Sequence, residues 1–338
     1  MSFGEAALTE SLTHPSLTAM RLTDNKIVLV TRPTRLAELV LRFNTVSQAR
    51  FYIEHQGADF SDYLREDETY HRALVEAEEA LGQMARLQTV DRSFLPNFVF
   101  AREDTVVTLG QDGLVANTLK YLDGQPVVGV NPDPERWDGR LLPFRVGDLP
   151  KLMPEVILRK RQTHSVTMAK ATLNNGQALY AVNDLFIGPK THTSARYFLR
   201  YGKAGETQSS SGVIVSTGMG ATGWLKSLLT GAGAIANAAS QDGKAGLRQP
   251  ACYERAVNGF KWESDYLFFT VREPFPTCTT GASLVFGRVT TKDPLVLESQ
   301  MAENGVIFSD GIEKDFLEFN SGTKAVIGIA EKKGALVE

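Results

Sequence analysis

Cysteine and histidine are scarce in this chain, and neither is grouped. The 338 residues contain two cysteines, Cys252 and Cys278, and five histidines, none of which lies three or four residues from another. Two isolated cysteines make neither a disulfide framework nor a paired-cysteine metal motif. Because zinc sites need closely spaced thiolate and imidazole ligands, the composition disfavours a zinc site, and we expect no resident metal site.

Long apolar runs and a strong net charge are also missing. No stretch approaches eighteen consecutive apolar residues, and the N-terminus lacks a basic start followed by an apolar run. The net charge of −3 gives no field that would draw the whole chain to nucleic acid or to an anionic membrane. We therefore expect a soluble cytoplasmic protein without nucleic-acid or membrane partners.

The length suggests two domains, and the apolar patterns differ between them. Strands are predicted at 26–31, 97–100, 106–108 and 126–131, with helical spacing at 36–43, 46–56, 59–65 and 70–87. Alternation of strands and helices is typical of an open, mostly parallel sheet. From about Lys151 many short alternating segments favour an all-β structure. We predict an α/β domain over 1–148, a β-sandwich-like domain over 149–310, and a terminal segment, 311–338, that packs back on the first domain.

The most informative stretch of the first domain is a strand-to-helix turn at 110–113. The β-branched run 106–108 ends before Gly110, and a helix is predicted over 114–121. An acid at such a turn, here Asp112, lies beside free backbone N–H groups and the positive end of a helix dipole, where phosphates bind well. The alternative is an ordinary Asp-Gly turn with a solvated aspartate, which is the commoner outcome for an isolated pair.

A glycine-rich loop lies in the second half of the chain. Gly218, Gly220 and Gly223 spell G-x-G-x-x-G between a predicted strand, 212–217, and a predicted helix, 223–239. This is the dinucleotide-binding fingerprint, but a Rossmann unit needs a further parallel strand that ends in an acid. Asp242 has about the right spacing and follows no strand. A phosphate-binding Walker loop does not fit either, and a structural glycine turn is an equal alternative.

Two further features carry acids. Asn183 and Asp184 interrupt an apolar run, and burial of an amide and a carboxylate without partners is costly. Either they bind something specific or the pair forms an Asx turn. Asp310 and Gly311 are predicted to form the turn of a β-hairpin over 308–312.

Together and in this order, these motifs resemble those of the NAD kinase family, within the superfamily that includes the diacylglycerol kinases. Residues 110–114 resemble its Gly-Gly-Asp-Gly-Thr turn, 183–184 its Asn-Glu or Asn-Asp pair, and 217–224 its Thr-Gly-rich loop ending in an aromatic. Residues 129–136 are similar to a segment of the mitochondrial-type branch. Four ordered motifs are far more specific than one.

The resemblance implies that NAD lies in a cleft between the two domains and that ATP phosphorylates it to NADP, with Mg²⁺ and in a homodimer or homotetramer. Asp112 would face the adenosine ribose 2′-hydroxyl as base or orienting group. The implied NAD contacts are Gly113, Asn183, Asp184, Ser211, Thr222, Trp224 and Ser227. The implied phosphate contacts are Gly110, Arg136, Arg196, Thr217, Gly218 and Gly220.

Three positions depart from the family pattern. Gln111 replaces a glycine and Leu114 a threonine in the phosphate-donor loop, and Ser211 stands where many members carry an aspartate. The first hypothesis is an NAD kinase. The alternatives are a nucleotide-binding protein on the same fold that does not transfer phosphate, or a kinase for another hydroxyl acceptor. A Rossmann oxidoreductase that uses 218–223 is the third class, and a lipid acceptor is disfavoured because no amphipathic membrane face is evident.

Overall fold

A computed structural model describes residues 21–239 and 251–338. The helices are α1 (Arg35–Phe43), α2 (Val46–His55), α3 (Ser61–Gly82), α4 (Asp112–Leu119), α5 (Leu149–Ile157), α6 (Trp224–Ala239) and α7 (Ala251–Asn258). The strands of the first half are β1 (Lys26–Thr31), β2 (Arg86–Asp91), β3 (Thr105–Leu109), β4 (Pro126–Asn131) and β5 (Phe144–Arg145). The remaining strands are β6 (Thr163–Leu173), β7 (Ala178–Ala181), β8 (Asp184–Pro189), β9 (Ala195–Tyr201), β10 (Ala204–Ser210), β11 (Val213–Ser216), β12 (Leu267–Val271), β13 (Phe286–Val289), β14 (Leu295–Ser299), β15 (Gly305–Ser309), β16 (Ile312–Glu318) and β17 (Lys324–Val337).

The first domain is built on a parallel sheet. Its strand order is β2-β1-β3-β4, and every neighbouring pair is parallel. Alternate residues of the buried strands point to two helical layers: Leu29 packs with α3 and α5, whereas Val28 and Val106 pack with α4. Burial on both faces explains why these strands are continuous Val- and Leu-rich runs. The predicted α/β domain is confirmed.

The second domain consists of antiparallel strands in two layers. One layer contains β10-β9-β14-β17, and the other is a six-stranded sheet in the order β13-β12-β11-β8-β15-β16. The core between the layers includes Tyr197 and Leu297 from the first and Val215, Phe269 and Ile307 from the second. The predicted C-terminal β-rich domain is confirmed.

Strand β17 joins the parallel strands of the first domain to one antiparallel layer of the second domain. Its first part pairs in antiparallel fashion with β14 and β6, and its last part pairs with β6, again antiparallel, and through Ala335 and Leu336 with β4 in parallel. Between these parts the register shifts after Ile329. As a result one eleven-stranded sheet runs through both domains.

Two local predictions were wrong, and one helix was not predicted. The helical pattern of 70–87 ends at Gly82, and β2 follows at the sheet edge, where only Val90 is buried and the apolar signal is weak. Residues 98–100 are not a strand, because a short 3-10 helix ends at Asn97 and irregular backbone follows. Helix α5 was missed because it contains Pro150 and Pro154. A proline in the first turn is tolerated there since that N–H has no helical partner.

Candidate functional site

A cavity of about 390 Å³ opens in the second domain where three segments meet. The segments are the start of β8, the glycine loop between β11 and α6, and the turn between β15 and β16. Among the predicted site residues it brings together Asn183, Asp184, Gly220, Thr222 and Trp224. The rest of its lining is formed by Met219, Gly223, Phe308, Asp310 and Gly311.

Asp310 organises the floor of this cavity. Its carboxylate accepts hydrogen bonds from the backbone N–H groups of Val182 (3.1 Å), Asn183 (2.6 Å) and Asp184 (3.3 Å). Its own N–H donates to the carbonyl of Asp184 at 2.9 Å. Positive φ angles at Asp310 (55°) and Gly311 (72°) are those of a type I′ hairpin turn. Sequence reasoning predicted the turn and did not place Asp310 in the site.

The three N–H donors also affect the ionisation of Asp310. Burial raises the pKa of this carboxyl, while the N–H groups of Asn183 and Val182 and the positive charge of Lys120 act to lower it. Because each N–H donor favours the charged form, these contacts with Val182–Asp184 oppose the effect of burial on Asp310.

Asp184 is the second acid of the cavity. Its Oδ1 atom is buried and has no hydrogen-bond partner among the described residues. Burial raises the pKa of Asp184 to about 7; the Ser216 hydroxyl bond lowers it in part, and the nearby Asp310 raises it further. Since buried polar atoms are almost always paired, Oδ1 is an acceptor available to a ligand hydroxyl.

The raised pKa makes Asp184 a source of pH-dependent instability. In the unfolded chain the carboxyl ionises near 3.8, whereas the folded protein keeps the proton up to about pH 7. Between these values the folded state binds more protons, so this group contributes less to stability as pH rises. We expect Asp184→Asn to be more stable than the wild type by an amount that grows from pH 4 to pH 8, measured by thermal unfolding. A gain for Asp184→Asn that shrinks as the pH rises would contradict the account.

The glycine loop is held by close backbone packing. Thr217 donates its hydroxyl to the carbonyl of Val182 and accepts from the N–H groups of Met219 and Gly220, both at 3.2 Å. A Cβ on Gly218 would lie 2.1 Å from the carbonyl oxygen of Lys261. A Cβ on Gly220 would lie 2.3 Å from that of Asn183. These two glycines are therefore needed for backbone contacts within the protein, and only Gly220 also faces the cavity.

The topology around this loop excludes a Rossmann unit. β11, which precedes the loop, pairs antiparallel with both β8 and β12, whereas the dinucleotide fingerprint belongs to a parallel β-α-β unit. Asp242 lies outside the described residues.

One wall of the cavity is aromatic. Trp224 stacks on Phe186 with ring centroids 5.8 Å apart, and Phe186 stacks on Phe308 at 4.8 Å. The Arg272 guanidinium lies 5.4 Å from the Trp224 ring centroid. Trp224 and Phe308 face the cavity, and flat rings in this arrangement can stack with a planar heterocycle.

The second acidic turn lies at the carboxyl end of β3 and begins α4. Asp112 accepts hydrogen bonds from the backbone N–H groups of Arg140 (3.2 Å) and Leu141 (2.9 Å). The N–H of Gly110 donates to the carbonyl of Val130 in β4 at 3.2 Å. In parallel sheets ligands bind at this edge, but Asp112 does not line the cavity described above.

Leu114 fills space beside this turn. Its Cδ2 atom lies 2.8 Å from the point where a Cβ on Gly110 would be, and its side chain is buried. Arg32 packs on the same glycine, with Cδ and Nε 3.6 Å from that point. The Nε atom of Arg32 is buried without a partner among the described residues, and its terminal nitrogen pairs with buried Glu66 at 3.1 Å. Side chains of this chain therefore occupy the space over Gly110, and around Gly113 a Cβ would meet nothing within 4 Å.

Comparisons with known proteins find similar solved structures but no matching sequence family. No protein-family model and no curated protein matches the sequence. The crystal structure of an NAD kinase from Archaeoglobus fulgidus in complex with ATP superimposes with a TM-score of 0.53 at 13% identity, over 93% of this chain and 93% of that chain. This chain has the NAD kinase fold. The crystal structure of yeast NADH kinase complexed with NADH also superimposes on this chain, with a TM-score of 0.52 at 14% identity, over 93% of this chain and 84% of that chain.

Besides the predicted residues of the Asp112 turn, Thr217 and Gly218, four further predicted site residues do not line the cavity. Arg136 is bound to Asp62 at 2.6 Å and to Asp133 at 3.3 Å, so its charge is already paired. Arg196 is exposed on β9, which lies between β10 and β14. The other two are Ser211, in the loop before β11, and Ser227, exposed on α6.

Proposed function

We propose that this chain is an NAD kinase, which transfers the terminal phosphoryl group of ATP to the adenosine ribose 2′-hydroxyl of NAD. The fold supports a kinase of this class. The cavity is the observation that supports NAD as the ligand. Asp184 offers a buried acceptor to a ribose hydroxyl, Asn183 offers an amide, and Trp224 with Phe308 offers a stacking surface. An aromatic wall beside a hydroxyl acceptor suits a nucleoside.

In this proposal Asp112 acts on the accepting hydroxyl. The acceptor is neutral and must lose a proton as the phosphorus arrives, so a positioned carboxylate can act as general base. The two N–H bonds to Asp112 fix its orientation. The remaining work is charge neutralisation and in-line positioning of the phosphates, and Mg²⁺ is proposed to arrive with ATP as part of the substrate.

The phosphate-donor loop allows a test of whether Gln111 and Leu114, which differ from the family pattern, limit phosphoryl transfer. We expect Gln111→Gly with Leu114→Thr to raise ATP-dependent NADP formation by about tenfold, because the space over Gly110 opens and a hydroxyl becomes available to phosphate. NAD affinity should stay within about twofold, since neither residue lines the cavity. The matched control is Val115→Thr, which adds a hydroxyl at the next, buried position of α4. An unchanged rate in the double variant would show that Leu114 does not limit transfer.

A second candidate function is favoured by the same packing. Because Leu114 and Arg32 occupy the space over Gly110, the chain could bind NAD or NADP without transferring phosphate. NAD binding without turnover in the wild type, together with turnover in the double variant, would identify this case.

The proposal extends to assembly as a homodimer or homotetramer in the cytoplasm, which light scattering of the purified protein would test for its oligomeric part. Among the described residues no helix combines the length and the apolar content that a membrane crossing needs.

A further inference from the structure

Lys120 is a buried cation that the proposed reaction does not use. It follows the last residue of α4, the helix that begins at Asp112, and it is 1% exposed. Burial of an ammonium group is costly unless it is paired and hydrogen-bonded. Its position therefore calls for specific partners, and these lie in the second domain.

The partners of Lys120 belong to the β15–β16 hairpin. Its Nζ donates to the Ser309 hydroxyl at 3.1 Å and to Asp315 at 2.7 Å. Asp315 also accepts from the Tyr121 hydroxyl at 2.6 Å. On the other side, Lys332 of β17 donates to the Lys120 carbonyl at 2.9 Å. The hairpin is thus attached from inside the protein to the C-terminal end of α4.

Ser309 is the residue immediately before the Asp310 turn. The Lys120 ammonium group therefore acts on the charge of Asp310 in addition to binding the hairpin. Of the charged groups around Asp310, Lys120 is the cation that favours its ionisation, and the charge of Asp310 in turn raises the pKa of the neighbouring Asp184 carboxyl. Asp315 is already compensated by Lys120 and Tyr121. Lys332 contacts the Lys120 carbonyl and not the carboxylates.

We propose that Lys120 is a positioning residue: by binding Ser309 and Asp315 on either side of the turn, it holds the Asp310–Gly311 turn against the backbone of Val182–Asp184 and so shapes the nucleotide cavity from the far end of α4. The use of this cavity for NAD rests on the proposed function. The role of Lys120 in the turn rests on the contacts alone.

The test compares Lys120→Met and Lys120→Arg with the wild type. The first readout is the titration of the Asp310 carboxyl, followed by NMR of ¹³C-labelled aspartate and assigned with Asp310→Asn. The second is NAD binding by calorimetry between pH 6 and pH 9. Lys120→Met should move the Asp310 midpoint to higher pH, because the cation that favours the charged form is lost, and should weaken NAD binding at pH 7 by about tenfold. Lys120→Arg keeps the positive charge, so the Asp310 midpoint and the NAD affinity should both stay close to those of the wild type.

The matched control is Lys170→Met. Lys170 pairs with Glu331 at 3.0 Å on the neighbouring strands β6 and β17 and makes no contact with the turn, so its loss tests ion-pair removal as such and should leave both readouts unchanged. If Lys120→Met does not fold, Ser309→Ala removes the same contact from the other side and should weaken NAD binding. An Asp310 midpoint that stays in place in folded Lys120→Met, or unchanged binding in Ser309→Ala, would overturn the assignment. A moved midpoint in a protein whose wild type binds no NAD would instead refute the proposed function and leave the role of Lys120 standing.

Discussion

Asp112→Asn is expected to lower NADP formation by about 100- to 10,000-fold, the range typical of a lost general base. Asparagine keeps one oxygen acceptor for the N–H groups of Arg140 and Leu141 and loses the ability to take a proton. NAD affinity should change by less than about threefold, because the amide oxygen of asparagine can still accept a hydrogen bond from the ribose hydroxyl. The measurement is a steady-state assay of NADP formation beside NAD calorimetry.

The control for this variant is Asp148→Asn. Asp148 also accepts a backbone N–H, from Arg145 at 2.8 Å, at the start of a helix remote from the cavity. Loss of this bond tests the structural effect of an Asp-to-Asn change without touching the proposed chemistry, so turnover should be kept. Undiminished turnover in Asp112→Asn would remove Asp112 from the mechanism.

Gly220→Ala is expected to lower kcat/KM by about 100-fold or more. The new Cβ would lie 2.3 Å from the carbonyl oxygen of Asn183 and 2.6 Å from its carbonyl carbon, and neither backbone atom can move without shifting the residues that Asp310 holds. Displacement of site groups by about 1 Å is sufficient for a loss of this size. The effect should be seen in NAD affinity as well as in turnover.

The control for Gly220→Ala is Gly231→Ala, in the middle of α6. A Cβ at this position meets no atom within 4 Å, and alanine in a helix is favoured over glycine by about 0.5–1 kcal/mol. Activity should be kept and the melting temperature should rise slightly. Full activity in Gly220→Ala would mean that the contact with Asn183 does not shape the site.

The parts of the fold that sequence could predict are those in which burial leaves a clear pattern. β1 and β4 were predicted with the bounds that the structure has, because strands covered on both faces are continuous apolar runs. β2 escaped prediction since it is an edge strand with a single fully buried residue, Val90. α5 escaped because its two prolines suggest a break, and only the packing of Leu149 and Met153 on the sheet explains the helix.

The site was harder to predict because its contacts are distant in sequence. Asn183 and Asp184 were singled out as odd polar residues in an apolar run, with an Asx turn as the alternative. Their actual partner is Asp310, 127 residues from Asn183, and no local pattern relates the two. The buried pairing of Lys120 with Ser309 and Asp315 is equally remote. Gly218 and Gly220 were predicted to admit phosphate, whereas the structure gives both a reason in backbone packing.

The most direct test of the account is the formation of NADP from NAD, ATP and Mg²⁺ by the purified protein, with NAD binding measured in parallel by calorimetry. The account predicts NAD binding and ATP-dependent NADP formation, both weakened in Gly220→Ala, with turnover alone lost in Asp112→Asn. Absence of both NAD binding and NADP formation would contradict it and would reduce the likeness to NAD kinases to one of fold alone.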